Sequence, residues 1–402
     1  MKRLTISRLG HRGDGIAEGP VYVPLALPGE EVEFDEATGA LRILTPSDQR
    51  VRPPCPHFKS CGGCALQHAS DDFVADWKVD VARTALEAQG LAAEMRPIAT
   101  SPARSRRRAT LAGKRTKKGV IVGFHARASD TVVPVPDCHL LHPGLMACLP
   151  ALEEITTLGA SRKGTLDLAL TLSEAGVDVA VTGAKPMDAA LFAALGGLAE
   201  THDLARLSWN NDLVAERRPP LQRMGRALVS PPPGAFLQAT AEGEAALVGA
   251  VRAAVGDAKH MADLFAGCGT FTLPLAEAAE IHAVEGEAAL LAALDQGWRR
   301  AEGLRRVTTE TRDLFRRPLM PDELSRFEAL VIDPPRAGAE AQVAQIAAAA
   351  VPVVAMVSCN PVTFARDARV LVEAGFALDW VQVVDQFRWS PHVELAARFV
   401  RA

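Results

Sequence analysis

From residue 239 to the C-terminus, short apolar runs alternate with stretches of helical period, and that alternation leaves few folds open to the chain. The runs Met261–Phe265, Ile281–Glu285, Val307–Glu310, Ala329–Asp333, Val353–Val357, Leu378–Val384 and Glu394–Val400 read as strands. Helical stretches separate the first six of them, and only a loop separates the last two. Such repeats build a mainly parallel sheet with helices on both faces, and the hairpin-like final pair predicts one antiparallel strand at the end. The fold class is therefore α/β, with a seven-stranded, mainly parallel sheet expected over residues 231–402.

At 402 residues the chain exceeds the usual size of one domain, so two or three are expected. A hydrophobic fraction of 48% suffices for globular cores, and no apolar run approaches the length of a membrane span. The opening Met1-Lys2-Arg3-Leu4 soon meets Arg8, His11, Arg12 and Asp14, which does not fit a signal peptide. A cytoplasmic monomer with no membrane partner is the expectation. The seven cysteines are an odd number in such a chain, which favours metal binding or catalysis over a disulfide framework.

A net charge of −4 argues against a generally basic nucleic-acid binder, but the distribution is uneven. Between Met95 and Ser129 there are ten Lys and Arg and no Asp or Glu, among them Arg104, Arg106, Arg107, Arg108, Lys114, Arg115, Lys117 and Lys118. So one-sided a segment suits phosphate groups; a solvated face balanced by acids elsewhere in the fold is an equal alternative.

Residues 1–50 read as a small β module, with strands at Leu4–Ile6, Val21–Val23, Glu31–Phe34 and Leu41–Leu44 between Gly, Asp and Pro turns. Five such strands make an OB-like barrel, a frequent RNA platform. Cys55, Cys61 and Cys64 follow in one compact loop, with Gly62-Gly63 letting the backbone wrap closely around a centre. Three thiolates need a fourth, for which Cys138 is the natural candidate and Cys148, in an apolar stretch, the weaker one. Four cysteines hold either tetrahedral zinc or a 4Fe–4S cluster, and three clustered cysteines with one far off lean toward iron–sulfur. Residues 72–90 carry helical periodicity through Phe73, Trp77, Val81 and Leu86, and residues 93–226 mix strands with helices. The expected division is a barrel at 1–50, a central α+β domain at 51–230 with the cysteine loop and basic segment, and the α/β domain at 231–402.

Within the last domain, the loop Asp263–Gly269 joins a strand to a helix through Gly267-Cys268-Gly269, which admits a nucleotide-like ligand. Glu285, ending the second strand, is placed for ribose hydroxyls, and Asp313, after the third, for an adenine amino group. The third glycine of a dinucleotide fingerprint is lacking, so S-adenosyl-L-methionine is preferred to NAD. Asp333-Pro334-Pro335-Arg336 ends the fourth strand, with Asp333 able to accept bonds from a planar ligand and Arg336 offering a charged fork. Cys359, in Ser358-Cys359-Asn360-Pro361, ends the fifth, where open α/β sheets keep their ligands.

Phe236-Leu237-Gln238, the Asp263–Thr270 loop, Val284-Glu285-Gly286, Asp333-Pro334-Pro335-Arg336, Ser358-Cys359-Asn360-Pro361 and His392-Val393-Glu394 occur in the order of the bacterial RNA uracil-5-methyltransferases. Over nearly its whole length the chain resembles their RlmD-like iron–sulfur branch, which modifies 23S ribosomal RNA. That resemblance implies an N-terminal TRAM domain, a Rossmann-like class I methyltransferase domain, and 4Fe–4S ligands at Cys55, Cys61, Cys64 and Cys138. It also implies RNA contact by Arg106-Arg107-Arg108, and a cofactor and base pocket lined by Gln238, Phe265, Thr270, Glu285, Asp313 and Asp333. Thr270 departs from the asparagine that family members often carry there, and Gln238-Ala239-Thr240 replaces a frequent Gln-Val-Asn.

The chemistry such an enzyme needs explains these residue types. Carbon 5 of uracil attacks a methylsulfonium poorly until a thiolate adds to carbon 6 and turns the ring into an enolate. Cys359 is the expected nucleophile, and Glu394 the base that takes the carbon 5 proton so that the thiolate can leave. Glu394 could instead pair with Arg398 on an edge strand, and His392 is expected to be structural. The leading expectation is 5-methyluridine formation in 23S ribosomal RNA. The alternatives are a transfer RNA uracil-5-methyltransferase, a non-catalytic iron–sulfur RNA-binding protein and a dinucleotide-dependent oxidoreductase.

Overall fold

The computed structural model describes residues 1–161 and 164–401. Its largest sheet has eight strands, in the order 307–311, 280–285, 260–264, 329–332, 353–358, 394–401, 376–385 and 94–100. The first five run parallel, and Glu394–Arg401 is antiparallel to both Val353–Ser358 and Phe376–Asp385, which flank it. The expected seven strands are all present; the eighth, Glu94–Thr100, is a correction. It pairs in parallel with Phe376–Asp385, with Trp380 facing Glu94. Pro97 cannot donate to a ladder, and an edge position tolerates it, so the segment carried little strand signal.

Alternation along the strands sorts their side chains onto two faces. Met261, Val331, Ala355 and Val357 pack with Leu247, Val251, Leu291 and Leu294 of helices Ala241–Val255 and Ala288–Arg300. On the other face Leu264, Ile332, Val354 and Met356 pack with Val343, Ile346, Phe364 and Leu371 of helices Glu340–Ala348 and Pro361–Glu373. Ala82 and Leu86 of helix Asp71–Glu87 join that second face. The interval 51–230 thus contributes a helix and a strand to the C-terminal sheet.

The rest of that interval builds a seven-stranded sheet in the order 212–216, 206–209, 176–182, 165–173, 108–116, 119–125 and 132–134. Helices Leu149–Gly159 and Ala189–Thr201 cover it. The N-terminal strands form a separate five-stranded antiparallel sheet around Ile6, Val23, Val32 and Phe34. Its fifth member, Gly15–Ala17, was not singled out in the sequence, and its two terminal strands do not pair with each other. Among the described residues no helix is long and apolar enough to cross a membrane.

Candidate active site

The carboxyl ends of the parallel strands converge where the strand order reverses, between 260–264 and 329–332, and open sheets form a ligand crevice there. One wall is the turn after Asp263. Phe265 adopts a left-handed backbone (φ 63°), and so does Gly269 (φ 101°), where a Cβ would come within 2.9 Å of Leu273. The turn is held from the neighbouring strand, because one Glu285 oxygen accepts from Gly267 N at 3.1 Å and the other from Gly286 N at 2.6 Å. Asp313 accepts from Phe315 N at 3.0 Å, and the Phe315 ring stands 5.3 Å from that of Phe265. Phe265, Glu285 and Asp313 therefore belong to one wall. Thr270 lies in the same turn, half-buried.

Asp263 is fully buried beneath this turn; Thr272 donates to one oxygen at 2.5 Å, and the other oxygen has no partner. Burial pushes its carboxyl up to about 7, and the Glu285 charge adds to the rise. Burial likewise pushes Asp333 up to about 7, reinforced by Asp263.

The other wall follows from strand register. Val353 faces Val400 and Ser358 faces Leu395, the last pair of the ladder, and Cys359 and Glu394 are the next residues along the two chains. Directly opposed antiparallel residues have Cα atoms roughly 5 Å apart, so the residues just past the last pair, 35 positions apart in sequence, share one corner of the crevice, where the Glu394 charge acts on Cys359. Burial pushes the Cys359 thiol up to about 11, with Glu394 and Asp333 adding and the Arg336 guanidinium opposing. Burial pushes Glu394 up to about 8; Asp333 adds, while the nearby Gln386 amide and the charge of Arg336 oppose. Arg336 is fixed through its carbonyl, which accepts from Asn360 Nδ2 at 2.9 Å and Thr363 Oγ1 at 3.2 Å. His392 meets its guanidinium at 3.2 Å. Glu394 does not pair with Arg398, which binds Asp379 at 2.8 Å, and its strand is interior to the sheet.

Gln238 reaches this corner indirectly, through Gln386, whose amide nitrogen donates to Gln238 Oε1 at 2.5 Å. Gln386 was missed in the sequence. Nothing local marks it: Asp385 and Gln386 follow Val383-Val384 as two polar residues leading into a loop.

Away from the crevice, Cys55, Cys61, Cys64 and Cys138 line one small cavity with Phe58, Phe124 and Leu140. Burial pushes Cys64 up to about 12 and raises Cys61 and Cys138, and the neighbouring thiols add to each. Gly62 is required there, because a Cβ would meet His125 O at 2.6 Å. Among the described residues no group of three or more His, Cys, Asp or Glu has the geometry for a single metal ion. Cys148 packs in the apolar core and does not line this cavity.

The basic segment is less exposed than its sequence implied. Arg107 forms an ion pair with Glu244 at 2.5 Å, both side chains 13% exposed. Arg106 donates to Arg108 O at 3.0 Å and lies near Cys64 and Cys138. Arg115, Lys117 and Lys118 at the following hairpin tip are exposed.

A mainly parallel sheet with a glycine turn, an acid ending the second strand and a crevice at the switch point makes a site for a nucleotide-like cofactor. The profile of the family described as tRNA (Uracil-5-)-methyltransferase matches residues 205–401. The chain is 43% identical to an uncharacterized RNA methyltransferase of Brucella suis biovar 1, over 98% of this chain and 97% of the relative. It is 34% identical to the 23S rRNA (uracil(1939)-C(5))-methyltransferase RlmD of Chromohalobacter salexigens, over 97% of this chain and 87% of that one. The solved Pyrococcus abyssi tRNA (uracil-54, C5)-methyltransferase, in complex with S-adenosyl-L-homocysteine, shares the fold at TM-score 0.77 and 23% identity, covering 99% of each chain. The chain belongs to the RNA uracil-5-methyltransferase family.

Proposed function

We propose that this enzyme forms 5-methyluridine in 23S ribosomal RNA through a covalent adduct between Cys359 and carbon 6 of the uracil. The observation that carries the reading is the register that brings Cys359 and Glu394 to one corner beside Asp333 and Arg336. The thiolate adds to carbon 6, and carbon 5 takes the methyl group from the sulfonium, releasing S-adenosyl-L-homocysteine. Glu394 then accepts the carbon 5 proton, and the electrons of that bond restore the ring double bond and expel the thiolate. The uridine must leave its stack to reach this corner. Gln238, Phe265, Thr270, Glu285, Asp313 and Asp333 line the cofactor and base pocket. Glu285 keeps lone pairs free for ribose hydroxyls beyond its bonds to backbone N–H groups.

The N-terminal sheet serves as a TRAM-type RNA platform. Cys55, Cys61, Cys64 and Cys138 would hold a 4Fe–4S cluster, because their four thiols line one cavity and thiolates are the ligands such a cluster takes. Bound there, it would supply positive charge that favours the thiolates and would tie their loops together.

Ribosomal RNA is favoured by the relative named RlmD, and transfer RNA is the second reading, favoured by the Pyrococcus structural neighbour. The test is mass mapping of both RNAs from a deletion strain complemented with wild type or Cys359→Ala. One 5-methyluridine lost from 23S RNA and restored by wild type alone is the expected result. Loss from transfer RNA moves the substrate, and restoration by Cys359→Ala removes the nucleophile.

A further inference from the structure

We propose that Gln386 is a positioning residue that locks the Gln238 amide with its NH2 end toward the crevice; this rests on the reading of Gln238 as part of the base pocket. So held, Gln238 selects a base with a carbonyl at carbon 4. Both side chains are buried, Gln386 2% and Gln238 3% exposed. The backbone N–H of Ala239 donates to Gln386 Oε1 at 2.7 Å. That N–H can only donate, so the atom facing it is the amide oxygen and the NH2 end lies on the other side. There Gln386 Nε2 donates to Gln238 Oε1 at 2.5 Å. The order of donors and acceptors therefore runs one way, and reversing either amide would set two donors face to face. Gln238 is left with its nitrogen unused: Nε2 meets no acceptor among the described residues and is not sealed from solvent. A buried amide with free N–H groups needs an acceptor from a ligand.

The backbone of the same segment is pinned as well. Arg107 N donates to Ala239 O at 2.9 Å, and Arg107 Nε to Gln238 O at 3.3 Å. Thr240 Oγ1, which accepts from Gly243 N at 3.0 Å, lies 2.7 Å from Ser101 Oγ. A Cβ at Gly243 would stand 2.5 Å from Gln386 Cβ, so the start of helix Ala241–Val255 closes over the glutamine. Gln386 itself stands two residues past Val384, which faces Glu394 in the last pair of the hairpin ladder. That order matches the ring. Cys359 adds to carbon 6, Glu394 takes the carbon 5 proton, and the next atom along the edge is carbon 4, beside the hairpin residue that holds Gln238. Uracil carries a carbonyl oxygen there and cytosine an amino group. A fixed N–H donor pairs with the oxygen and meets the amino group donor to donor.

The experiment measures, with S-adenosyl-L-homocysteine bound, the affinity of the full chain for two transcripts of whichever RNA, 23S or transfer, wild type methylates. They differ only in carrying uracil or cytosine at the target position, and Cys359→Ala in every protein prevents adduct formation. Calorimetry gives the S-adenosyl-L-homocysteine affinity. Gln386→Met keeps the volume but removes both ends of the lock, so Gln238 can turn its oxygen to the base. The preference for uracil over cytosine is expected to fall about tenfold, while the uracil transcript binds within about threefold of its reference affinity. Affinities for both transcripts that fall equally, an unchanged preference, or a loss confined to S-adenosyl-L-homocysteine each overturn the proposal. Gln386→Asn, whose amide is too short to span both partners, gives the same comparison if the methionine variant does not fold. Gln238→Met separates the two readings. If the reference protein shows no preference, or Gln238→Met keeps it, Gln238 does not read the base; if Gln238→Met abolishes the preference while Gln386→Met does not, only the role of Gln386 falls.

Discussion

Asp263 illustrates what a single residue can conceal. In sequence it opens a loop of the kind that lines a cofactor crevice. In the structure it lies beneath that loop, with one oxygen bonded to Thr272 and the other unpartnered. Its carboxyl titrates near 7 when folded against an ordinary 3.8, so the folded state favours the neutral acid. The stability this contributes is complete below the ordinary value and is lost as pH rises toward about 7. Fully ionised, the group costs the free enzyme on the order of 4 kcal/mol. Asp333 and Glu394 act in the same direction, toward about 7 and about 8. Asp263→Asn, which keeps the acceptor for Thr272, is therefore expected to stabilise the cofactor-free protein by about 1–3 kcal/mol at pH 8 and hardly at all at pH 4.5. Thermal melts at the two pH values check this, and a gain independent of pH would show that ionisation of Asp263 is not the cause.

At the scale of elements, helix Asp71–Glu87 was legible and its position was not. Its period, its Ser70 cap and its acidic first turn are local, and Ser70 Oγ accepts from Phe73 N at 3.3 Å as such a cap should. Its packing against the C-terminal sheet depends on partners about 300 residues away. Lys78 makes the link: fully buried, it binds Asp385 at 2.6 Å and Phe387 O at 3.1 Å. A lysine among the apolar positions of that helix was the available signal. Lys78→Met leaves Asp385 buried without its cation and is expected to cost about 3–5 kcal/mol, with Asp385→Asn in the same chain restoring part of it. Denaturant unfolding measures both, and a single-variant loss below about 1 kcal/mol would show that water reaches the pair.

At the scale of the whole molecule, the cysteine loop joins the bodies. Ala65 N and Leu66 N both donate to Trp389 O, at 2.8 and 3.0 Å, in the hairpin loop that leads to Glu394. Gly62 N donates to His125 O at 2.9 Å in the central sheet. Arg50, just before the loop, binds Glu30, which precedes strand Glu31–Phe34 of the N-terminal sheet, at 2.5 Å. A centre held by Cys55, Cys61, Cys64 and Cys138 would brace all three. Protein prepared without oxygen is expected to contain about four iron and four sulfide per chain. Cys64→Ser, or iron removal by a chelator, is expected to lower the melting temperature through loosening of these joints. One zinc per chain, with no iron, would sink the cluster reading.

The sequence by itself determined the elements and the chemistry-bearing residues. Strand and helix periods, caps and glycine turns are written within about ten neighbouring residues, and the motifs that carry the family resemblance are just as local. Tertiary structure alone decided which of those residues meet. The register that brings Cys359 and Glu394 to one corner, the eighth strand at 94–100, the burial of Lys78 and Asp263 and the ion pair that occupies Arg107 all arise between segments far apart in sequence. Gln386 belongs with them. A glutamine carries no signal of its own, and its place against Gln238 comes from the helix end that packs on it.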